Sequence, residues 1–566
     1  MARIFNEIGL LLELGGDNPF KTRAYYNAAR TLENLNDDLP TLIREQRLSD
    51  IPGFGEAIVK KITEGVTTGT IEYYEKLKAA TPPGLLQFLR IPGLGPKKIN
   101  QIYSVLGISS IDELEKACLA NKLAGLAGFG VKTQEKILAG IQFVRDHQGQ
   151  YLWHEAWTIG LSIKNELAQN PAVIKIELAG SLRRFKEVVH DIDFIAATDT
   201  PGAVADSFVK LPQVDKITSR GDTKISVILK SGIGADLRLV KPAEYAHALQ
   251  HFTGGKEHNT TLRHLAKEQG FKVNEYGLFP KGNAEPKYCR DEAEIYQTLG
   301  LKYIPPELRE DQGEIQAAGL GKLPVLIEPQ DLKGIFHIHT VYSDGVNTLR
   351  EMVEACIERG FSYAGIADHS QIAAYAHGLS AKALEKQFNE IDVLNREYPH
   401  FKVFKGIEAD ILPSGELDYS PDVLARFDFV VGSIHSQFRM GKEEMTARIL
   451  KALDSPYLTM LGHPTGRILL ERTGYELDLE RILAKAAEKR VAIEFNANPY
   501  RLDLDWRWCR KAKELGVLIS INPDAHSIGE LDLARSGVLV ARKGWLEAKD
   551  VLNTRNLNEV EKLLNN

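Results

Sequence analysis

One short pattern occurs three times near the N-terminus and limits what this part of the chain can fold into. Ile51-Pro-Gly-Phe-Gly55, Ile91-Pro-Gly-Leu-Gly95 and Leu126-Ala-Gly-Phe-Gly130 each place two glycines around one apolar residue. A helical pattern follows each copy, and apolar residues recur every three to four positions between the copies. The repeat therefore predicts an all-helical region over residues 1–147, with Gly-x-Gly turns between paired helices.

These glycine turns are suited to binding phosphate. A Gly-x-Gly turn lets backbone amides approach a phosphate closely, and the N-terminus of the next helix adds partial positive charge. Such contacts hold a nucleic-acid backbone without reading its bases. A single copy is also a common connector of two helices, but three copies followed by lysines favour DNA binding. The predicted DNA-binding residues are Gly53, Gly55, Lys60, Lys61, Gly93, Gly95, Lys97, Lys98, Gly128, Gly130 and Lys132.

Beyond residue 150, short β-rich runs replace the helical pattern, and two of them carry carboxylates. Asp191 and Asp193 lie two residues apart, so they face the same way on a strand, and Asp236 lies on another run. Three carboxylates can hold two divalent cations about 3.5–4 Å apart, an arrangement that serves phosphoryl transfer. Asp-x-Asp alone also fits an exposed strand. The preceding Gly180-Ser181 turn and Arg184 could hold a triphosphate, which favours the catalytic interpretation.

The last part of the chain is rich in histidine, with eight of the 15 histidines after residue 334. Here β runs alternate with helical patterns, which predicts a wound or barrel-like α/β domain. Histidines and carboxylates stand at the ends of successive β runs, where α/β barrels place their sites. One such histidine is more often structural, but the whole set suits Zn²⁺, Mn²⁺ or Fe²⁺. The candidate ligands are His337, His339, Asp344, His369, Glu408, His435, His463, Asp524 and His526.

Composition excludes several other classes of protein. The 566 residues are 43% hydrophobic and 26% charged, which is ordinary for a globular chain of several domains. The apolar runs are too short for a membrane span, and the four cysteines form no CxxC pair, so we expect a cytoplasmic protein without a signal peptide. With a net charge of −6, nucleic acid would have to be held by local patches and backbone amides.

Residues 1–320 resemble the family X DNA polymerases, the group that includes DNA polymerase beta. The resemblance rests on the triad, the Gly-Ser turn and the segment from His251-Phe-Thr-Gly-Gly255 to Arg263, which looks like the family's nucleotide-selecting segment. His251 and Gly255 stand where many members have Tyr and Ser, which bears on sugar selection. The resemblance implies two Mg²⁺ or Mn²⁺ ions at the triad, and nucleotide contacts from Gly180, Ser181, Arg184, Phe252, Gly254, Asn259 and Arg263.

The N-terminal part resembles the family's eight-kilodalton domain. Lys61 matches the lysine that forms a Schiff base with an abasic sugar in the lyase-active members. Lys21 and Tyr25 match residues that hold the downstream 5′-phosphate. A Schiff-base lysine must be partly neutral, which requires burial or positive neighbours. The alternative is that Lys60 and Lys61 are plain contacts to the DNA backbone.

The histidine-rich part resembles the PHP domain, named for polymerase and histidinol phosphatase. The resemblance carries all nine candidate ligands over to a cluster of up to three ions, Mn²⁺ or Zn²⁺. It implies a metal-dependent 3′→5′ exonuclease, and abasic-site endonuclease as a further activity.

Together these features predict a multidomain, monomeric DNA repair polymerase that binds gapped or nicked double-stranded DNA and deoxynucleoside triphosphates. One alternative is a phosphatase of histidinol-phosphate type with a DNA-binding appendage, and another is a non-catalytic DNA-binding scaffold. The predicted domains are an eight-kilodalton-like domain (1–88), helix–hairpin–helix fingers (89–150), an α/β nucleotidyltransferase palm (151–240), an α+β nucleotide-selecting thumb (241–317), a linker (318–333) and a barrel-like PHP domain (334–566).

Overall fold

The computed structural model describes residues 1–33, 35, 38–281 and 285–564. Two compact units are present, Met1–Gln148 and Gly149–Asn566. No helix among the described residues is long and apolar enough to cross a membrane.

The first unit is helical, as the repeat predicts. Its amphipathic helices pack around two apolar clusters, one containing Phe5 and Ile62 and the other containing Phe88 and Ile99. Its described α-helices are α1 (Ala2–Leu14), α2 (Pro19–Glu33), α3 (Leu39–Arg44), α4 (Glu56–Thr68), α5 (Glu72–Ala80), α6 (Pro83–Phe88), α7 (Pro96–Leu106), α8 (Ile111–Leu119) and α9 (Val131–Asp146).

The three glycine turns share one geometry. The first glycine of each has a positive φ: 89° at Gly53, 79° at Gly93 and 79° at Gly128. Residues with a side chain rarely adopt a positive φ, so glycine is required there. The second glycine of each pattern caps the N-terminus of α4, α7 or α9, and no atom lies within 4 Å of where its Cβ would be. The turns therefore present open backbone at helix N-termini.

The second unit begins with a five-stranded mixed sheet. In it β4 and β7 run parallel at the centre, within the order β2-β4-β7-β6-β5. Buried apolar residues alternate along β6 and β7, as expected for strands with one covered face. The elements are β1 (Tyr151–Leu152), α10 (Trp153–Leu167), β2 (Lys175–Leu178), α11 (Gly180–Arg183), β3 (Val188–Val189), β4 (Asp191–Ala197), α12 (Pro201–Val209), β5 (Val214–Arg220), β6 (Lys224–Leu229) and β7 (Gly234–Val240).

A smaller α+β region follows the sheet. Its helices pack on a hairpin, and a cluster around Leu262 and Tyr296 forms the core. The elements are α13 (Tyr245–Thr253), α14 (Lys256–Glu268), β8 (Phe271–Asn274), β9 (Gly277–Pro280), α15 (Glu292–Thr298) and α16 (Glu314–Gly319).

The rest of the second unit is a parallel barrel. Its seven described strands lie side by side in sequence order, and a bridge between Ile338 and Ala525 nearly closes the ring. The strands and helices are β10 (Gly334–Ile338), α17 (Leu349–Glu358), β11 (Tyr363–Ile366), α18 (Ala381–Glu397), β12 (Lys402–Asp410), α19 (Pro421–Leu424), β13 (Phe429–Ser433), α20 (Lys442–Leu453), β14 (Met460–Leu461), α21 (Leu479–Lys489), β15 (Ala492–Asn496), α22 (Trp506–Glu514), β16 (Ile519–Asn522), α23 (Leu533–Ala541) and α24 (Leu557–Leu564).

The sheet and the barrel share one continuous apolar core, which includes Trp153 beside the sheet and Trp506 beside the barrel. The segment expected to be a linker, 318–333, is packed into this unit. Ile327 is fully buried and its amide donates to the carbonyl of Leu546 over 2.9 Å. The segment therefore connects the α+β region to the barrel as a packed part of the second unit.

Candidate metal centres and nucleic-acid contacts

The acidic triad forms at the centre of the five-stranded sheet. Asp191 and Asp193 lie on β4, and Asp193 is directly opposite Asp236 on the parallel neighbour β7. One carboxylate oxygen from each of the three lies within 4.8 Å of the others. The sequence predicts that these three carboxylates act together, but it does not predict the parallel pairing of β4 with β7.

The three carboxylates repel one another. Burial, followed by repulsion from Asp191 and Asp236, raises the pKa of Asp193 to about 7. Burial and the charge of Asp236 also raise the pKa of Asp191. One cation, the Lys224 ammonium, lies 2.5 Å from Asp236. A divalent cation would relieve the remaining repulsion, so the donor set fits such an ion.

Gly180 brings the glycine–serine turn close to the triad. It has φ of 61°, and a Cβ built on it would overlap the Asp193 carboxylate. Both following arginines are tied to Thr253. Arg183 donates to its hydroxyl over 2.7 Å and Arg184 to its carbonyl over 2.8 Å.

The two arginines also form buried ion pairs. Arg183 pairs with Glu292 at 2.7 Å, and Arg309 also contacts that carboxylate. Burial alone would raise the pKa of Glu292, but the charges of Arg309 and Arg183 outweigh it and lower this pKa to about 2. Arg184, expected at a triphosphate, is 8% exposed and lies 3.1 Å from Glu310. In this structure its guanidinium therefore binds the Thr253 carbonyl and Glu310, and a triphosphate would have to compete with them.

The segment expected to select the nucleotide bends between α13 and α14. The Arg238 guanidinium lies 4.1 Å from the centre of the Phe252 ring. The Asn259 amide donates to the carbonyl of His251 over 2.7 Å, so it faces the bend of its own segment. A Cβ on Gly254 would overlap this Asn259 side chain.

Gly255 and Arg263 complete this segment. A Cβ on Gly255 would lie 2.9 Å from the carbonyl oxygen of Arg309, so serine at this position would require the backbone to shift. Arg263 is exposed on α14, one turn beyond Asn259, and donates weakly to Thr260 over 3.4 Å.

In the barrel, all nine candidate ligands lie together at the carboxyl ends of the strands. Glu408 is at their centre. Its carboxylate lies 2.9 Å from His369, 3.0 Å from His463 and 3.3 Å from both His337 and His435. The remaining members meet in overlapping groups. These are His337, His339 and Asp524, and then His339, Asp344, His369 and His526.

Further carboxylates orient these histidines. The Nδ1 atom of His337 lies 2.6 Å from Glu494, which turns Nε2 toward Glu408. Asp410 holds His435 in the same way, with 3.0 Å to Nδ1. Such outer partners fix the ring orientation of metal ligands. Sequence reasoning missed Glu494 and Asp410, although both lie on β runs that carry or neighbour a ligand.

The cluster has the properties of a metal centre. Nitrogen atoms of His337, His339 and His369 are buried there without a well-aligned hydrogen bond, although carboxylates lie close to them. Unpaired buried polar atoms are costly, and a cation would satisfy them. Burial disfavours a charge on His435, yet Glu408 and Asp410 outweigh it and raise its pKa to about 10. The carboxylates thus favour positive charge at His435, whereas burial and the neighbouring His526 lower the pKa of His339 to about 3.

The backbone is unusual at three of the ligands. His337, His463 and Asp524 have φ of 59°, 22° and 52°. Residues other than glycine rarely adopt a positive φ, and such backbone strain concentrates at functional sites.

The N-terminal lysines meet an aromatic pair. The Lys61 ammonium lies 4.7 Å from the Tyr73 ring centre and 5.8 Å from the Tyr25 ring centre. Lys21 lies 5.6 Å from Tyr73. Burial is the main cause that lowers the pKa of Lys61, and the charges of Lys21 and Lys60 act in the same direction. Tyr73 was not identified from the sequence.

The remaining lysines follow the glycine turns. Lys60, Lys97 and Lys132 are exposed on the helices that begin at the second glycine, and Lys98 is half-buried. Each open turn therefore has at least one exposed lysine within about two helical turns.

Comparison with known protein families assigns most parts of the chain. Residues 1–71 match a model described as a helix-hairpin-helix domain, and residues 85–142 match a SAM-like helix-hairpin-helix tandem. Residues 248–310 match the DNA polymerase beta thumb, and residues 336–498 match the PHP domain.

Curated relatives fall into two groups. The DNA polymerase/3'-5' exonuclease PolX of Bacillus subtilis (strain 168) is 41% identical over 566 residues, which is all of this chain and 98% of the relative. A probable phosphatase of Thermoanaerobacter sp. (strain X514) is 26% identical over 38% of this chain and 89% of its own length. A probable phosphatase of Caldicellulosiruptor bescii is 29% identical over 34% of this chain and 78% of its own length.

Proposed function

Since this chain belongs to the family X DNA polymerases with a C-terminal PHP domain, we propose that it extends a DNA primer at the acidic triad and removes nucleotides from 3′ ends at the histidine cluster. The observation that carries the proposal is the presence of two ligand sets in one chain, the acidic triad and the nine residues around Glu408. The phosphatase alternative accounts only for the PHP part, and a scaffold needs neither set.

At the triad, the residues divide the work of nucleotide addition. Asp191, Asp193 and Asp236 would hold two divalent cations, and such a pair would supply activation of a hydroxyl and stabilisation of the leaving oxygen in a phosphoryl transfer. We assign Asp236 to the primer 3′-hydroxyl, whose proton it accepts. Gly180 and Ser181 offer backbone and hydroxyl donors to the triphosphate, and a contact from Arg184 requires its pair with Glu310 to open.

The nucleotide is selected by the bend between α13 and α14. Phe252 and Gly254 are proposed to flank the sugar, and Arg263 to reach the template strand. The Asn259 amide now bonds the carbonyl of His251, so reaching the minor-groove edge of a new pair requires that bond to be exchanged. Selection is therefore coupled to a rearrangement of this bend.

At the histidine cluster, hydrolysis of a 3′-terminal phosphodiester is proposed, with abasic sites as a further substrate. The nitrogen-rich donor set favours Mn²⁺ or Zn²⁺ over Mg²⁺, whereas the all-oxygen triad accepts Mg²⁺ or Mn²⁺. Up to three ions are expected, because eight of the nine ligands form three overlapping groups that share His339 and His369, and Glu408 lies close to a histidine of each group.

The first unit is proposed to hold gapped or nicked DNA through its phosphates. Its three open turns offer amides and lysines without reading bases. Lys61 is a candidate abasic-site lyase nucleophile, because its lowered pKa increases the neutral fraction that attacks an aldehyde. Lys21 lies beside Tyr73, and Tyr25 is the other ring of this aromatic pair, so Lys21 and Tyr25 could hold a 5′-phosphate together. The sequence-based domain bounds, the monomeric state and the cytoplasmic location are part of this proposal.

The test uses a gapped duplex labelled at the primer 5′ end. With deoxynucleoside triphosphates and Mg²⁺ the primer should lengthen to fill the gap, and with Mn²⁺ alone it should shorten. A phosphatase with a DNA-binding appendage would release phosphate without lengthening the primer. A scaffold would shift the duplex in a gel and leave its length unchanged. Failure of both reactions would refute the proposal.

A further inference from the structure

A buried lysine from the PHP part of the second unit contacts a loop of the palm. This palm loop, residues 184–187, follows the Gly180-Ser181 turn. Lys543 lies just after α23, and its side chain is fully buried. Its ammonium donates to the carbonyl of Arg184 over 2.9 Å and lies 2.8 Å from Glu310. Lys543 therefore contacts the loop that follows Gly180-Ser181 and also the acid that pairs with Arg184.

A second side chain from the barrel holds the same stretch of the palm. The Trp506 indole donates to Glu187 over 3.0 Å, and Arg507 lies 2.7 Å from that carboxylate. The Lys543 ammonium lies 4.6 Å from the Trp506 ring centre, so the two residues form one cluster. The segment 184–187 is thus fixed at both ends by residues more than 300 positions away.

Burying this ammonium is costly, and burial lowers its pKa to about 8 despite the attraction of Glu310. A buried charge is tolerated only where it is paired and hydrogen-bonded. Methionine or leucine would fill the same space without the free-energy cost of burying a charge. We therefore explain these polar contacts by the part of the chain that they hold in position. What they position is the loop beside Asp193.

We propose that Lys543, supported by Trp506, is a positioning residue of the polymerase site, through which the PHP part holds the nucleotide-binding loop in place. The inference rests on the proposed polymerase function. Without Lys543, the carbonyl of Arg184 loses its donor and Glu310 keeps only Arg184 and Lys186 as cationic partners. The loop should then sample other positions, and the nucleotide should bind more weakly before chemistry.

The test compares Lys543→Met with Arg542→Met in the full chain. Arg542 lies in the same interface and is similarly buried, but it contacts Glu307 and Glu328 and not the palm loop. We expect Lys543→Met to raise the KM for the nucleotide about tenfold, with a smaller change in kcat and unchanged 3′ digestion. Arg542→Met should leave that KM within about twofold. Equal effects of the two variants would overturn the proposal.

Trp506→Phe provides a milder test if Lys543→Met does not fold. It keeps a ring beneath the ammonium and removes only the bond to Glu187. The KM for the nucleotide should rise two- to fivefold, by about 0.4–1 kcal/mol of binding free energy. An unchanged KM would refute the positioning role. If the unaltered protein does not extend a primer at all, the polymerase assignment fails instead, so the two failures are distinguishable.

Discussion

Gly180→Ala should separate the two activities through a single methyl group. Gly180 has a positive φ, and the added Cβ would overlap the Asp193 carboxylate. The overlap can be relieved only by moving the short Asp193 side chain or the loop itself. Because Asp193 is directly opposite Asp236 in the triad, either shift changes the metal-binding geometry.

The expected magnitudes follow from these two effects. The left-handed backbone should cost about 1–2 kcal/mol of stability for a residue with a Cβ. A displacement of about 1 Å at a catalytic ligand lowers the rate about 100-fold, which corresponds to about 2.7 kcal/mol in the activation barrier. Digestion of 3′ ends at the histidine cluster should be unaffected, since none of its ligands contacts the palm loop.

Gly232→Ala is the matched control. Gly232 has φ of 88° in the same sheet region, but the nearest atom to its Cβ is the Tyr151 hydroxyl oxygen at 3.4 Å. Both variants should lose similar stability in chemical denaturation. Only Gly180→Ala should lose single-turnover nucleotide addition on gapped DNA. Full activity of Gly180→Ala, or an equal loss in Gly232→Ala, would refute the argument.

Three other predictions address the sites and the fold. Asp193→Ala should lower nucleotide addition at least about a thousandfold, or about 4 kcal/mol, and leave 3′ digestion intact on the same gapped substrate. The double variant His337→Ala, His339→Ala should lose bound transition metal by elemental analysis and 3′ digestion, while primer extension continues. Glu292 has a pKa of about 2 in the folded chain against an ordinary 4.5, so its ion pairs add up to about 3 kcal/mol of stability above pH 4.5. That contribution should fall away as the pH drops from 4.5 toward 2, so the stability gap between the unaltered protein and Glu292→Gln should narrow in acid denaturation.

The ligand sets could be predicted from sequence because each ligand follows a local rule. Asp191 and Asp193 are two residues apart on one strand, and the histidines end successive β runs of a parallel barrel. Parallel strands in sequence order bring their carboxyl ends together without further information. The chemistry of the residue types then indicates a metal.

The contacts of Arg184 followed no such rule. The motif placed this residue at a triphosphate, but its partner Glu310 is 126 positions away and belongs to a different region of the fold. Lys543, which shares that partner, is 359 positions from Arg184. Long-range pairs of this kind depend on how the sheet and the barrel pack, and no periodicity in the sequence records it.

The two metal centres differ in how far their ligand side chains are already held in position before an ion binds. The triad is partly exposed and consists only of carboxylates, and burial, followed by their mutual repulsion, raises the pKa of Asp193 to about 7. The histidine cluster is buried, and Glu494 and Asp410 orient His337 and His435 toward Glu408. Preorganised, buried ligands lose little freedom on binding and release an ion slowly. We therefore expect the histidine cluster to retain its ions through purification, and the triad to acquire its ions together with the negatively charged nucleotide.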